Sequence, residues 1–323
     1  MTVLCFDFDA TIFRAAAAAQ KRTIICKHEP TGLTQEFKTR TEFYGHWKKK
    51  QGGWLASHPE LKLEDFLIED IITPDPVEFA LKAVKSTITN LCDKFETEDY
   101  YGYVGGEDNF RKEICTLMQY KGQRIADLPV HLQACKDYVI KHHSARVANG
   151  VEADDMCSRD NYKALKDKKD FLVVCLDKDF KGCEGNWHFY LNNDTREVRG
   201  FGELWRDDEI DGYGRMFKYF QIAQGDSSDF YQPHCFSDKE NGPVTAYNAL
   251  KDCKNDTEAF IALKEHFKYM YPEPKTITNW KGDTFEIDWL YVLQEMFSMA
   301  HMERWEGDRV DVRKTFKNLG IEI

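Results

Sequence analysis

Residues 3–13, VLCFDFDATIF, constrain this chain more than any other stretch, because an apolar run ends on two aspartates, Asp7 and Asp9. Side chains alternate across a strand, so residues i and i+2 share a face and the two carboxylates are expected to point the same way. The arrangement recurs. DFLVVCLDKDF (170–180) is the clearest buried strand, uncharged from Phe171 to Cys175, and it too runs into a D-x-D pair, Asp177 and Asp179. VEADD (151–155) and QGDSSD (224–229) bring the acidic clusters to four. Ligands bind at the carboxyl ends of strands in an open α/β sheet, so distant strand ends are expected to deliver these acids to one crevice.

The remaining pattern supports such a sheet. RAAAAAQ (14–20) reads as a small-residue helix packed closely on a sheet, and Pro30 and Gly32 in EPTGLT predict a hairpin between TIICKH and QEFKTR. Apolar residues at 77, 81, 84, 88, 91 and 95 have helical spacing. YYGYVGG follows as a strand and turn, VHLQACKDYVIKHH (130–143) as a helix, and NWHFYLNNDTREVRGF as a hairpin around Asn192 and Asn193. From about 203 the pattern turns helical. The expectation is an α/β fold with a mostly parallel central sheet flanked by helices, residues 1–202, followed by a helical C-terminal subdomain, 203–323.

At 323 residues the chain can hold one large α/β domain or two smaller ones. No apolar run approaches the roughly 20 residues of a membrane span, and no basic segment precedes the first apolar stretch, so a cytosolic protein without a membrane partner is expected. The ten cysteines are scattered without a C-x-x-C pair and are expected to be reduced. A net charge of −11 argues against nucleic acid only weakly, since carboxylates gathered to hold dications contribute to it. Crowded carboxylates raise one another's pKa, and Mg²⁺ or Mn²⁺ resolves the conflict; two such ions about 4 Å apart can clamp a phosphodiester.

Two families fit the opening stretch. Asp7, Asp9 and Thr11 resemble the D-x-D-x-T motif of haloacid-dehalogenase phosphatases, which would make Asp7 a nucleophile and Asp9 a general acid. GVEADD, LDKDFK and GDSSD, in that order, resemble the structure-specific 5′-nuclease family of flap endonucleases, polymerase 5′-nuclease domains and bacteriophage 5′–3′ exonucleases, the phage branch above all. NFRKEICTLMQYKGQR (109–124) is similar to that family's F-R-x-E and Y-K-x-x-R stretch. The resemblance implies a metal-dependent phosphodiesterase cutting DNA at 5′ ends or flaps, in phage replication, primer removal or DNA degradation, with RNA–DNA hybrid as a further substrate and replication proteins as partners.

By the same resemblance, Asp7, Glu152, Asp154 and Asp155 would hold one metal, with Glu107 or Asp108 as an addition. Asp177, Asp179 and Asp226 would hold the second, supported by Asp229, while Asp9 has an outer role. A helical arch over about 105–130 would aim Lys121 and Arg124 at the scissile phosphate, with Arg111, Tyr120 and Lys178 also toward nucleic acid. The family's K⁺ site lies on a glycine-rich helix–hairpin, whereas CFSDKENGPVTAYNAL has only Gly242. Lys48, Lys49 and Lys50, between Trp47 and Trp54, read as a solvated turn or as a contact for single-stranded DNA. A non-catalytic DNA-structure-binding relative is a further reading.

Overall fold

A computed structural model describes residues 2–46, 49–124 and 127–323. The chain opens with β1 (Val3–Asp7), α1 (Phe8–Ala18), β2 (Gln20–His28), β3 (Thr34–Phe37), α2 (Arg40–Tyr44), β4 (Phe66–Pro74) and α3 (Val77–Lys94). It continues through β5 (Tyr100–Asn109), α4 (Phe110–Ile114), α5 (Leu132–His142), β6 (Ala145–Gly150), α6 (Ala153–Lys166) and β7 (Phe171–Cys175). Two hairpins follow, β8 (Gly185–Phe189) with β9 (Asp194–Val198) and β10 (Glu203–Arg206) with β11 (Ile210–Tyr213). The last part comprises α7 (Gly214–Gln224), α8 (Pro243–Leu250), α9 (Asp256–Met270), β12 (Lys275–Thr278), β13 (Thr284–Ile287), α10 (Trp289–Ala300) and α11 (Val312–Asn318).

Two compact units emerge: Met1–Thr11 with Thr89–Asp127 and Tyr138–Ile323, and Ile12–Ile88 with Leu128–Asp137. The first holds a six-stranded sheet in the order β6-β5-β1-β7-β8-β9, parallel except for β9. This is the mostly parallel sheet expected. The chain adds β5 and β6 on one side of β1, then crosses to place β7 on the other, so the strand order reverses at β1. Ligand crevices of open α/β sheets form at such reversals. All five residues of β7 are buried, and α6 packs on the sheet through Ala153, Cys157 and Ala164 against Cys5, Val173 and Trp187.

A second apolar core in the same unit joins α7, α8, α9, α10 and α11, and residues 115–120 are built into it through Cys115, Leu117 and Tyr120. This corrects two expectations. The helix of the proposed arch ends at Ile114, and residues 115–124 run as turns and irregular chain. The region beyond 203 is not purely helical, because β10–β11 and β12–β13 are antiparallel pairs whose short strands escape a helical-period reading.

The second unit is a three-stranded antiparallel sheet, β3-β2-β4, with the predicted turn at Gly32 in a left-handed conformation. Its small core gathers Ile24, Cys26, Phe37 and Phe43, with Trp54 and Phe66 against them. All ten cysteines are free thiols. Among the described residues no helix is long and apolar enough to cross a membrane.

Candidate active site

Asp7 closes β1 and is only 6% exposed. The chain turns at once into α1, so Asp9 lies in the first helical turn instead of two places along a strand. The two acids meet for a different reason than alternation. The Asp9 amide donates to Asp7 Oδ1 at 3.3 Å, while the Asp9 carboxylate accepts from the Gly105 amide at 3.0 and 2.9 Å. A Cβ at Gly105 would lie 2.8 Å from Asp9 Oδ2, so a side chain there would push the Asp9 carboxylate out of its present position.

β6 leads into α6, whose first turn is acidic. Glu152 caps the helix in a reciprocal capping box with Asp155, and Asp154 is the next acid on that turn. After β7, Asp177 caps a short 3-10 turn, Lys178–Gly182, by accepting from the Asp179 amide at 2.9 Å. Asp7, Asp9, Glu152, Asp154, Asp177 and Asp229 thus line one depression of about 510 Å³, facing Lys121, Arg124 and Lys178.

Six carboxylates against three cations leave a negative excess. Burial, then Asp9 and Asp177, push the Asp7 carboxyl well above its usual range. Burial, Glu152 and Asp155 do the same to Asp154. Burial raises Asp177, and burial followed by the Asp177 charge pushes Asp179 up to about 8. Asp226 differs. Burial would raise it, but bonds from Lys178 Nζ (2.7 Å) and Ser228 outweigh burial and hold it below the usual range.

The segment carrying the basic residues is pinned from below. The Glu295 carboxylate on α10 accepts the Thr116 amide at 3.1 Å, the Leu117 amide at 2.9 Å and the Thr116 hydroxyl. The Tyr120 hydroxyl lies 2.8 Å from both Glu152 Oε2 and Asp229 Oδ2, and burial, then those two charges, keep it a phenol. Lys121, in the left-handed region at φ 56°, gives its amide to the Asp229 carbonyl at 2.8 Å and pairs its ammonium with Glu152. Burial opposes that charge, but Glu152 and Asp229 outweigh it and raise its pKa. Arg124 is half exposed and reaches Asp229 at 2.7 Å.

Other expected site residues are placed elsewhere. Arg111 is 2% exposed, bound to Asp155 at 2.6 and 3.0 Å and to the carbonyls of Met299 and His301. It is a buried strut, its donors spent inside the protein. Asp155, fully buried, spends both oxygens on Arg111 and on the amides of Glu152 and Glu303, so it faces away from the depression. Asp108 and Glu107 are exposed at the end of β5 and outside the lining. Tyr120 is buried beneath the acids. Lys49 is exposed in the second unit, while Trp47 and Lys48 lie outside the described residues. Glu295 and Gln221, which donates to Asp179, were not singled out from the sequence. The one signal for Glu295 is a lone acid inside the apolar run LYVLQEMF.

The donor set suits a hard dication, being all carboxylate oxygen, with Asp7, Asp154 and Asp177 all held above the usual carboxylate range. Among the described residues no three potential ligands converge on one point as they stand. Lys121 on Glu152 and Lys178 on Asp226 occupy oxygens that a dication would take.

No protein-family model matches this chain, and no curated protein matches it. In backbone trace it is similar to T5 D15 protein co-crystallised with metal ions, at 16% identity and TM-score 0.41, over 69% of this chain and 79% of that one. It is similar too to a mutant T5 5′-exonuclease (16%, TM-score 0.41, 74% and 91%) and to the bacteriophage T5 D15 flap endonuclease in complex with DNA and metal ions (17%, TM-score 0.37, 56% and 70%).

Proposed function

We propose that the depression is the centre of a metal-dependent phosphodiesterase acting on DNA at 5′ ends or 5′ flaps. The observation that carries this reading is the joint lining. Acids following β1, β6 and β7 share one depression with Lys121 and Arg124. A phosphatase using Asp7 alone would have no use for Glu152 and Asp154 at the same opening.

Asp7, Asp154 and Asp177 would hold the metal, with Glu152, Asp179, Asp226 and Asp229 around them. Bound there, Mg²⁺ or Mn²⁺ would supply Lewis-acid activation of water and neutralise charge on the phosphodiester. Asp155 and Arg111 position the α6 turn that presents Asp154. Lys121 and Arg124, already among carboxylates, transfer their hydrogen bonds to the scissile phosphate as DNA enters, and Lys121 is the stronger candidate for charge that builds in the transition state. Residues 203–323 complete the centre through Asp226 and Asp229. Primer removal or DNA degradation in a phage-infected cell is the setting in which we place it.

A panel of labelled nicked duplex, 5′-flap and RNA–DNA hybrid, with Mg²⁺ or with chelator, tests the reading. Mg²⁺-dependent release from the 5′ side is expected, with no hydrolysis of small phosphate esters. A fluoroberyllate adduct on Asp7 would instead establish the phosphatase reading.

A further inference from the structure

At the far end of the turn that bears Asp177 and Asp179, a second cavity of about 50 Å³ is lined by Cys183, Glu184, Arg215, Lys218, His301 and Arg304, among others. None of these residues lines the acidic depression. A single water needs roughly 10–15 Å³ on this measure, so there is room for a group of a few heavy atoms but not for a nucleoside.

The lining is basic. Its one carboxylate, Glu184, is already 2.8 Å from Arg215, which also binds Asp256 at 2.9 Å through two nitrogens. Arg304 holds Asp308 at 2.7 and 3.1 Å. Lys218 has no hydrogen-bond or ion-pair partner among the described residues, and burial, with Arg304 and Arg215 nearby, lowers its pKa. His301 is 4% exposed; its Nε2 lies 3.0 Å from Asp308 Oδ2, and its Nδ1 is buried without a partner among the described residues. Because Nε2 faces a carboxylate it carries the proton, and Nδ1 presents a lone pair. Cys183 and His301 do not make a soft-metal site, because burial pushes the Cys183 thiol up to about 12 and basic side chains share the lining.

We propose that this cavity binds a phosphate oxyanion that retains a proton, either free hydrogen phosphate or a terminal phosphate monoester. Lys218 supplies the unpaired cation, and His301 Nδ1 accepts the P–OH hydrogen. The ligand would join α7 to the end of the Lys178–Gly182 turn. The inference stands apart from the nuclease reading, since it uses none of the same residues.

Calorimetric titration of the metal-free full chain with inorganic phosphate tests it. Wild type and the Lys121→Ala, Arg124→Ala double variant should bind alike, because the second cavity is intact in both. Lys218→Met should weaken binding by about tenfold or more, the value of a charged hydrogen bond, and Lys218→Arg should retain it. If Lys218→Met folds poorly, the same contrast between Lys218→Gln and Lys218→Arg, read as phosphate-linked thermal stabilisation, replaces it. A 5′-mononucleotide arm separates the two sources: binding as tight as phosphate identifies the terminal monoester, and absence of binding identifies the free ion. Sulfate, which has no proton to give at neutral pH, should bind more weakly. Absence of phosphate binding in wild type, or unchanged binding in both Lys218→Met and Lys218→Gln, overturns the site. Equal affinity for sulfate overturns the role given to His301.

Discussion

Lys121 carries three constraints at once: a left-handed backbone, an amide committed to Asp229, and an ammonium on Glu152. Such fixing costs little reorganisation when charge develops on a phosphate, so Lys121→Ala is expected to slow single-turnover cleavage on the order of 10²-fold or more while binding changes far less. Poor binding with a normal rate at saturating DNA would reduce Lys121 to a phosphate contact. The acids make a separate prediction that does not need activity. Mg²⁺ should raise the melting temperature of the wild-type chain by relieving repulsion among Asp7, Asp154 and Asp177, and Asp154→Asn or Asp177→Asn should blunt that rise. An unchanged Mg²⁺ response in both variants would remove these residues from the metal site.

The segment 115–124 is an irregular chain whose shape comes from what holds it, not from helical propensity. Glu295 satisfies two of its amides and one hydroxyl, so Glu295→Ala leaves buried donors unpaired at a cost of about 1–3 kcal/mol. A displacement of about 1 Å can cost 10²-fold in rate, so this variant is expected to lose at least tenfold in single-turnover cleavage although Glu295 touches no substrate. Retained activity in a destabilised variant would show that the segment holds its place without α10. In the β8–β9 hairpin, burial and then Lys94 pull the His188 pKa from 6.5 to about 4. Between those values the unfolded chain takes up a proton that the folded chain refuses. The stability from the neutral ring is therefore complete above about pH 6.5 and is lost as pH falls toward 4. Thermal melts of His188→Gln across that window should show a flatter pH dependence than wild type.

At the scale of the whole molecule, a net charge of −11 coexists with a cation cluster at the depression. Each neutralised DNA phosphate contributes about −0.9 to the slope of log affinity against log salt, so on the proposed reading Lys121, Arg124 and Lys178 together should give a slope of about −3. Arg124→Ala should make it shallower by about one. A slope that does not change places the DNA backbone elsewhere on the surface.

What the sequence determined by itself was local: the apolar strands ending in acid, the hairpin turns at Gly32 and Asn193, the helical spacing of 77–95, and the clustering of acids that the proposed centre would use. Those features depend on neighbours within a few residues, where alternation, turn chemistry and periodicity operate. Tertiary structure alone decided which acids face the opening. Asp154 and Asp155 are adjacent and chemically identical, yet one lines the depression while the other is consumed by Arg111 from another element. Arg111 and Lys121 looked equally basic, and both meet Glu152, yet burial made one a strut and left the other lining the depression. Partner choice between side chains far apart in sequence is set by packing, and no local pattern encodes it.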